Sequence, residues 1–196
     1  CLLLEEGHGT AAQIDAVARK AFRIGLGPFG LMNLTGPPIA LHSTDYLAEQ
    51  LATPRYNGAD NLRELVNEGH MWAIEDEESY SESQYESISR RLYGVVFGVA
   101  AQIVAEGVCS MEDVDRGAKV GLRWARGPFE LMNKVGVKNS YEMAEDYLTL
   151  CKDEAGNSNW NLPEFFATQA SDNADWNFSY VDTQIENGIA TLTINR

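Results

Sequence analysis

Three histidines and three cysteines are the residue types in this chain best suited to acid–base, nucleophilic or metal chemistry. His8, His42 and His70 lie far apart, with no carboxylate at the spacing of a catalytic triad, and read as loop or helix-end residues. Cys1, Cys109 and Cys151 are too few and too scattered for a disulfide framework or a zinc site. Cys109 and Cys151 read instead as small apolar residues in a reducing compartment. No G-x-G-x-x-G follows a strand pattern, so the usual dinucleotide cradle is missing. The aromatic residues Trp72, Tyr80, Tyr85, Tyr93 and Trp124 have no basic cluster interleaved with them. Fifteen basic residues against 29 acidic ones give a net charge of −14, which repels phosphate backbones and anionic lipid. The sequence therefore offers no catalytic, cofactor-binding or metal residue, and neither nucleic acid nor membrane is expected as a partner.

The informative chemistry is a motif that occurs twice. A shift of 100 residues aligns Gly27-Pro28-Phe29 with Gly127-Pro128-Phe129, and Leu31-Met32-Asn33 with Leu131-Met132-Asn133. Glu6-Gly7, Asp15 and Gly36 fall on Glu106-Gly107, Asp115 and Gly136 at the same offset. Two tripeptide matches at one constant spacing are an internal duplication. The motif has two uses. Gly27, Pro28, Phe29 and Met32, with their equivalents Gly127, Pro128, Phe129 and Met132, could wall a substrate pocket. They could equally be helix-breaking and core-packing residues, with the methionines filling gaps.

The elements that position this motif repeat as well. Each copy has a helix closed by glycine (Gly7, Gly107) and then a hydroxyl cap, Thr10 with Gln13 or Ser110 with Asp113. Ile14, Val17, Ala18 and Ala21 form one apolar stripe; Val114, Ala118 and Leu122 form the other. In Gly-Pro-Phe the glycine is expected to stop that helix and the proline to start the next, which runs to Gly36 or Gly136. Between the copies lie a loop at residues 53–58, a short helix from Asn61 to Glu68, and the acidic lead-in Glu75-Asp76-Glu77-Glu78. Ile88, Leu92, Val95, Val99 and Ile103 mark a long helix. Residues 153–159 read as linker, with a short helix starting near Pro163. Residues 179–185 and 189–194 flank Asn187-Gly188, a hairpin signal. Apolar residues make up 44% of the chain, enough for a packed core. No stretch approaches the length of a membrane span, and no signal peptide is visible.

Both motif blocks, CLLLEEG…IDAVARKAFRIGLGPFGLMNLTG and AAQIVAEGVCSMEDVDRGAKVGLRWARGPFELMNKVG, resemble the C-terminal helical domain of 3-hydroxyacyl-CoA dehydrogenases. The tail WNFSYVDTQIENGIATLTINR resembles the opening strands of a crotonase (enoyl-CoA hydratase) domain. The resemblance implies an all-α fold with a duplicated helical domain and a short C-terminal β-hairpin. It implies a first repeat over 1–74, a second over 75–152, a linker with a short helix over 153–178, and the start of a hydratase domain over 179–196. The chain opens inside a helix, so it is expected to be cut from a longer, bifunctional β-oxidation parent. That parent would oxidise 3-hydroxyacyl-CoA to 3-ketoacyl-CoA with NAD and hydrate enoyl-CoA; this chain would be its non-catalytic substrate-side or dimerisation module. The alternative is a purely structural scaffold for domain or subunit packing. The family's catalytic histidine–glutamate pair has no counterpart here, and Arg90 stands where the second copy would place the family's substrate-side asparagine. Asn33 and Asn133 belong to a different part of the motif. Expected partners are acyl-CoA in the parent, its Rossmann and crotonase domains, and further copies in a cytoplasmic homo-oligomer. Self-association through Leu2, Leu3 and Leu4 is also expected, because an uncovered apolar face is adhesive.

Overall fold

A computed structural model describes residues 1–52, 56–74, 79–150 and 161–194. The acidic lead-in, the linker reading at 153–159, Cys151 and part of the 53–58 loop lie outside the described residues. The described chain is all-helical apart from one hairpin. Its helices are α1 (Leu2–Glu5), α2 (Ala11–Phe22), α3 (Pro28–Thr35), α4 (Pro37–Leu51), α5 (Asp60–Asn67) and α6 (Glu82–Ala105). They continue as α7 (Met111–Gly121), α8 (Pro128–Val135), α9 (Val137–Leu150) and α10 (Glu164–Asp172). The strands β1 (Val181–Glu186) and β2 (Ile189–Ile194) follow.

The chain divides into two compact units, one of Cys1–Tyr93 with Asp146–Asn161, the other of Gly94–Glu145 with Leu162–Arg196. In the first, α2 starts at a capping box: Thr10 Oγ1 accepts from Gln13 N–H at 3.2 Å, and Gln13 Oε1 accepts from Thr10 N–H at 3.1 Å. The stripe Ile14, Val17, Ala18 and Ala21 is buried as its spacing requires. Ile14 and Val17 share a core with Leu3, Phe29, Leu62 and Trp72, and Ile88 from the start of α6 joins them. The second unit has the same order. Ser110 caps α7 by accepting from Asp113 N–H at 3.2 Å. Phe97, Phe129, Met132, Val137 and Phe166 make its core.

Several details depart from the sequence expectation. Gly27 does not stop α2. That helix ends at Phe22, with Arg23 in the left-handed region (φ 53°), and Gly27 is the extended N-cap of α3 (φ −81°). Leu122 leaves the stripe and is exposed, because α7 ends at Gly121 and Arg123 turns left-handed (φ 56°). In α6 the deepest face is Tyr93, Phe97, Ala100 and Ala101; of the expected stripe only Ile88 is fully buried. With 24 residues and a mean hydropathy of 1.2 in its apolar window, α6 is also long and apolar enough to cross a membrane. The sequence concealed this because Glu86, Arg90 and Arg91 interrupt the first turns, where Arg90 pairs with Asp146 and Arg91 with Glu6. Its buried face belongs to the helical cores.

The hairpin follows its turn signal. Asn187 (φ 51°) and Gly188 (φ 79°) form a two-residue left-handed turn, and Glu186 pairs with Ile189 on either side of it. The register Val181↔Ile194, Thr183↔Leu192 and Ile185↔Ala190 puts the apolar residues of β1 opposite those of β2, on one face. Val181, Ile185, Leu192 and Ile194 on that face are all exposed.

Candidate functional site

The two motif copies build one device twice. Asp15, on the buried face of α2, turns its carboxylate onto the first turn of α3. Phe29 N–H donates to Oδ1 at 2.7 Å and Gly30 N–H donates to Oδ2 at 3.0 Å. In the second unit Phe129 N–H donates to Asp115 Oδ1 at 2.8 Å and Glu130 N–H donates to Oδ2 at 2.9 Å. The aspartates thus supply from a distance the caps that an N-cap side chain would give locally. This explains the tripeptide. Proline at N1 has no N–H to satisfy, and phenylalanine fills the core below. The glycine is needed for space: a Cβ on Gly27 would lie 2.4 Å from Asp15 Cγ, and one on Gly127 would lie 2.2 Å from Asp115 Cγ.

A second clasp closes each unit. Asn33 Nδ2 donates to the Trp72 carbonyl at 2.9 Å, and Trp72 N–H donates back to Asn33 Oδ1 at 2.9 Å. Asn133 does the same with Trp176, at 2.9 and 2.7 Å. Each indole then packs edge-on to the motif phenylalanine, with centroids 4.7 Å apart for Phe29–Trp72 and 5.3 Å for Phe129–Trp176. Both indole Nε1 atoms are buried without a partner.

Burial pushes the Asp115 carboxyl up to about 6, against the two N–H bonds that lower it, and raises Asp15 for the same reason. A carboxyl near 6 could serve as a general base. Here both oxygens are taken by backbone donors and Asp115 is 1% exposed, so no reactant reaches it. The device is structural. Gly27, Phe29, Gly127, Pro128, Phe129 and Met132 are buried; Pro28 and Met32 are half-buried.

The histidines have closer carboxylates than their spacing suggested. His8 Nε2 lies 3.2 Å from Glu6 Oε2, and Nδ1 lies 2.7 Å from Ser87 Oγ. His70 Nδ1 is 3.1 Å from Glu68 Oε2. Turns after Glu6 and Glu68 fold each carboxylate back on its neighbour, and α6 brings Ser87 from far along the chain. Ser87 lies inside α6, where helix bonding takes the N–H groups that an oxyanion would need. The repeat offset aligns Asp15 with Asp115 without giving them a role; an acid at a fixed distance before Gly-Pro-Phe is the signal the sequence carries. It does not pair Trp72 with Trp176, whose separation is not the repeat offset.

A duplicated all-helical domain, with each Gly-Pro-Phe helix capped by a buried aspartate, is the class that fold and site define. The chain belongs to the 3-hydroxyacyl-CoA dehydrogenase C-terminal domain family, whose description it matches over residues 1–82 and again over 88–172. No curated protein matches the sequence. Among solved structures, 3-hydroxybutyryl-CoA dehydrogenase from Escherichia coli K12 substr. MG1655 is similar at a TM-score of 0.69 and 13% identity. The match covers 87% of this chain and 56% of that one, so the chain spans little more than half of the solved enzyme. At that identity the likeness is one of fold.

Proposed function

We propose that this chain is the substrate-side helical part of a protein that oxidises 3-hydroxyacyl-CoA to 3-ketoacyl-CoA and passes hydride to NAD. The observation that carries the reading is the family match over both copies. The residues present do not fit a dinucleotide: no Gly-rich strand–turn–helix occurs in the sequence, and the described strands form an antiparallel hairpin. NAD and the proton-accepting base therefore fall to parts outside these residues. What this chain supplies is two helical units, in each of which an aspartate cap and an Asn–Trp clasp fix the helices that flank the motif. The hairpin's one-sided apolar face supports a further β-layer against it, in keeping with the resemblance to a hydratase domain.

The alternative, a scaffold for domain or subunit packing alone, is favoured for the motif itself. Gly27 and Phe29 are buried by Asp15 and Trp72 of their own unit and not by an open pocket. The experiment compares two proteins with NAD+ and 3-hydroxybutyryl-CoA. The chain alone should produce no NADH, whereas a chain extended ahead of Cys1 by a dinucleotide-binding domain should turn over. Turnover by the chain alone, or none by the extended protein, would overturn the reading.

A further inference from the structure

The internal repeat supplies a comparison inside one chain. In the second copy Lys119, in the last turn of α7, is ion-paired with Glu130 of α8 at 2.6 Å. In the first copy the basic residue is kept as Arg19, but the acid is replaced by Gly30. The first cation has thus lost its internal carboxylate. Arg19 Nε is buried and has no hydrogen-bond partner. Its charge does reach Asp15, which it helps to hold down, but that carboxylate is occupied by the Phe29 and Gly30 amides. Cations in a last turn suit the helix dipole. That accounts for the charge and not for an unsatisfied buried donor.

Arg19 lines a cleft of about 630 Å3, together with Ala16, Lys20, Ile24, Gly25, Ser79 and Tyr80. Among these described residues none is acidic; Glu75, Asp76, Glu77 and Glu78, which directly precede Ser79, lie outside the described residues. Lys20 also lines the cleft, its exposed Nζ over the ring of Tyr85 at 4.3 Å and that of Tyr80 at 5.5 Å. Gln13 fixes the far wall by donating to the Ser79 carbonyl at 2.9 Å. Ala16, Ile24 and the Tyr80 ring supply apolar surface beside the two charges.

We infer that this cleft binds an organic anion, a phosphate or carboxylate on a flat or apolar body, whose charged group sits between Arg19 and Lys20. Arg19, where it lines the cleft, and the Lys20 ammonium suit either oxyanion, and a bare inorganic ion would leave the apolar wall unused. The inference rests on the repeat and the cleft, and stands whether or not the dehydrogenase reading holds.

The test is a titration of the full chain with phenyl phosphate and, separately, inorganic phosphate, read from the 15N–1H resonances of Arg19 Nε and of the Gly25, Ser79 and Tyr80 amides. Phenyl phosphate should saturate with shifts confined to these groups, and should bind more tightly than the inorganic ion. Gly30→Glu restores the internal carboxylate and should weaken binding by at least about tenfold. Its Cβ would meet Leu26 Cδ1 at 2.9 Å and Cγ at 3.3 Å, which the Leu26 side chain must relieve, and the capping Asp15 Oδ2 at 3.0 Å. Should Gly30→Glu fail to fold, Lys20→Gln at the exposed ammonium serves in its place, with the same weakening expected. Shifts that never saturate, spread over the surface, or survive unchanged in the variant would overturn the inference. Equal affinity for the two phosphates would overturn its organic part.

Discussion

At the residue scale, two carboxylates decide whether two helices start where they do. Asp115→Ala would leave the Phe129 and Glu130 amides buried without acceptors and open a small void beside Gly127. A loss of roughly 2–4 kcal/mol in urea unfolding is expected. The same device has a pH signature. The Asp115 carboxyl sits near 6 in the fold, against an ordinary 3.8, so the folded state binds a proton that the unfolded state has released. Its contribution is therefore greatest below about pH 4 and is lost as pH rises through about 6. In Asp115→Asn that slope should vanish, so the stability of the parent relative to the variant falls across this window. A difference that is flat with pH would show that burial does not govern this group. Gly127→Ala tests the space argument: its Cβ would meet the Asp115 backbone Cα at 2.4 Å, which no rotamer change relieves. A loss at the upper end of the overpacking range, about 3 kcal/mol, is expected, whereas an alanine at Gly117, with open space around it, should cost far less.

At the scale of elements, the repeat was legible because helix grammar is local. Thr10 with Gln13, proline at N1, Gly36 and Gly136 at helix ends, and Asn187-Gly188 in the hairpin each act through neighbours a few residues away, and each is found in its expected role. What sequence did not show is what acts across the chain. Asp15 reaches the next helix, and Trp72 and Trp176 come back to Asn33 and Asn133 from beyond α5 and α10. The resting place of Gly27 was misread for the same reason. A glycine before proline looks like a helix stop, and only the approaching carboxylate shows that it is there for clearance. The clasps lend themselves to a direct measurement. Asn33→Ala removes both hydrogen bonds to the Trp72 backbone and should lower stability by about 1–3 kcal/mol. It should also blue- or red-shift the fluorescence of that indole as the Phe29 contact loosens. An unchanged emission spectrum together with unchanged stability would show that the clasp holds nothing.

For the whole molecule, the two copies differ in character on α3 and α4 and their counterparts α8 and α9. Leu34 and Ile39 of the first copy are 76% and 61% exposed, and the second copy has Lys134 and Asn139 at the same offset. Leu31 is half-exposed while its equivalent Leu131 is buried, and Leu47 and Leu51 extend the uncovered surface along α4. Apolar residues this exposed in one copy, where the other has polar ones, make an adhesive face. Of the expected adhesive residues, Leu3 points into the first core, Leu4 is partly buried against it, and Leu2 is exposed. We therefore expect concentration-dependent self-association of this chain through α3 and α4. Transplanting the second copy's residues, as Leu34→Lys with Ile39→Asn, should convert the protein to a monomer in sedimentation velocity while helicity and unfolding midpoint stay within experimental scatter, because neither side chain is buried. Leu2→Lys should leave the association intact. A parent that is monomeric over the whole concentration range, or an association that survives the double substitution, would assign this face to no contact between copies.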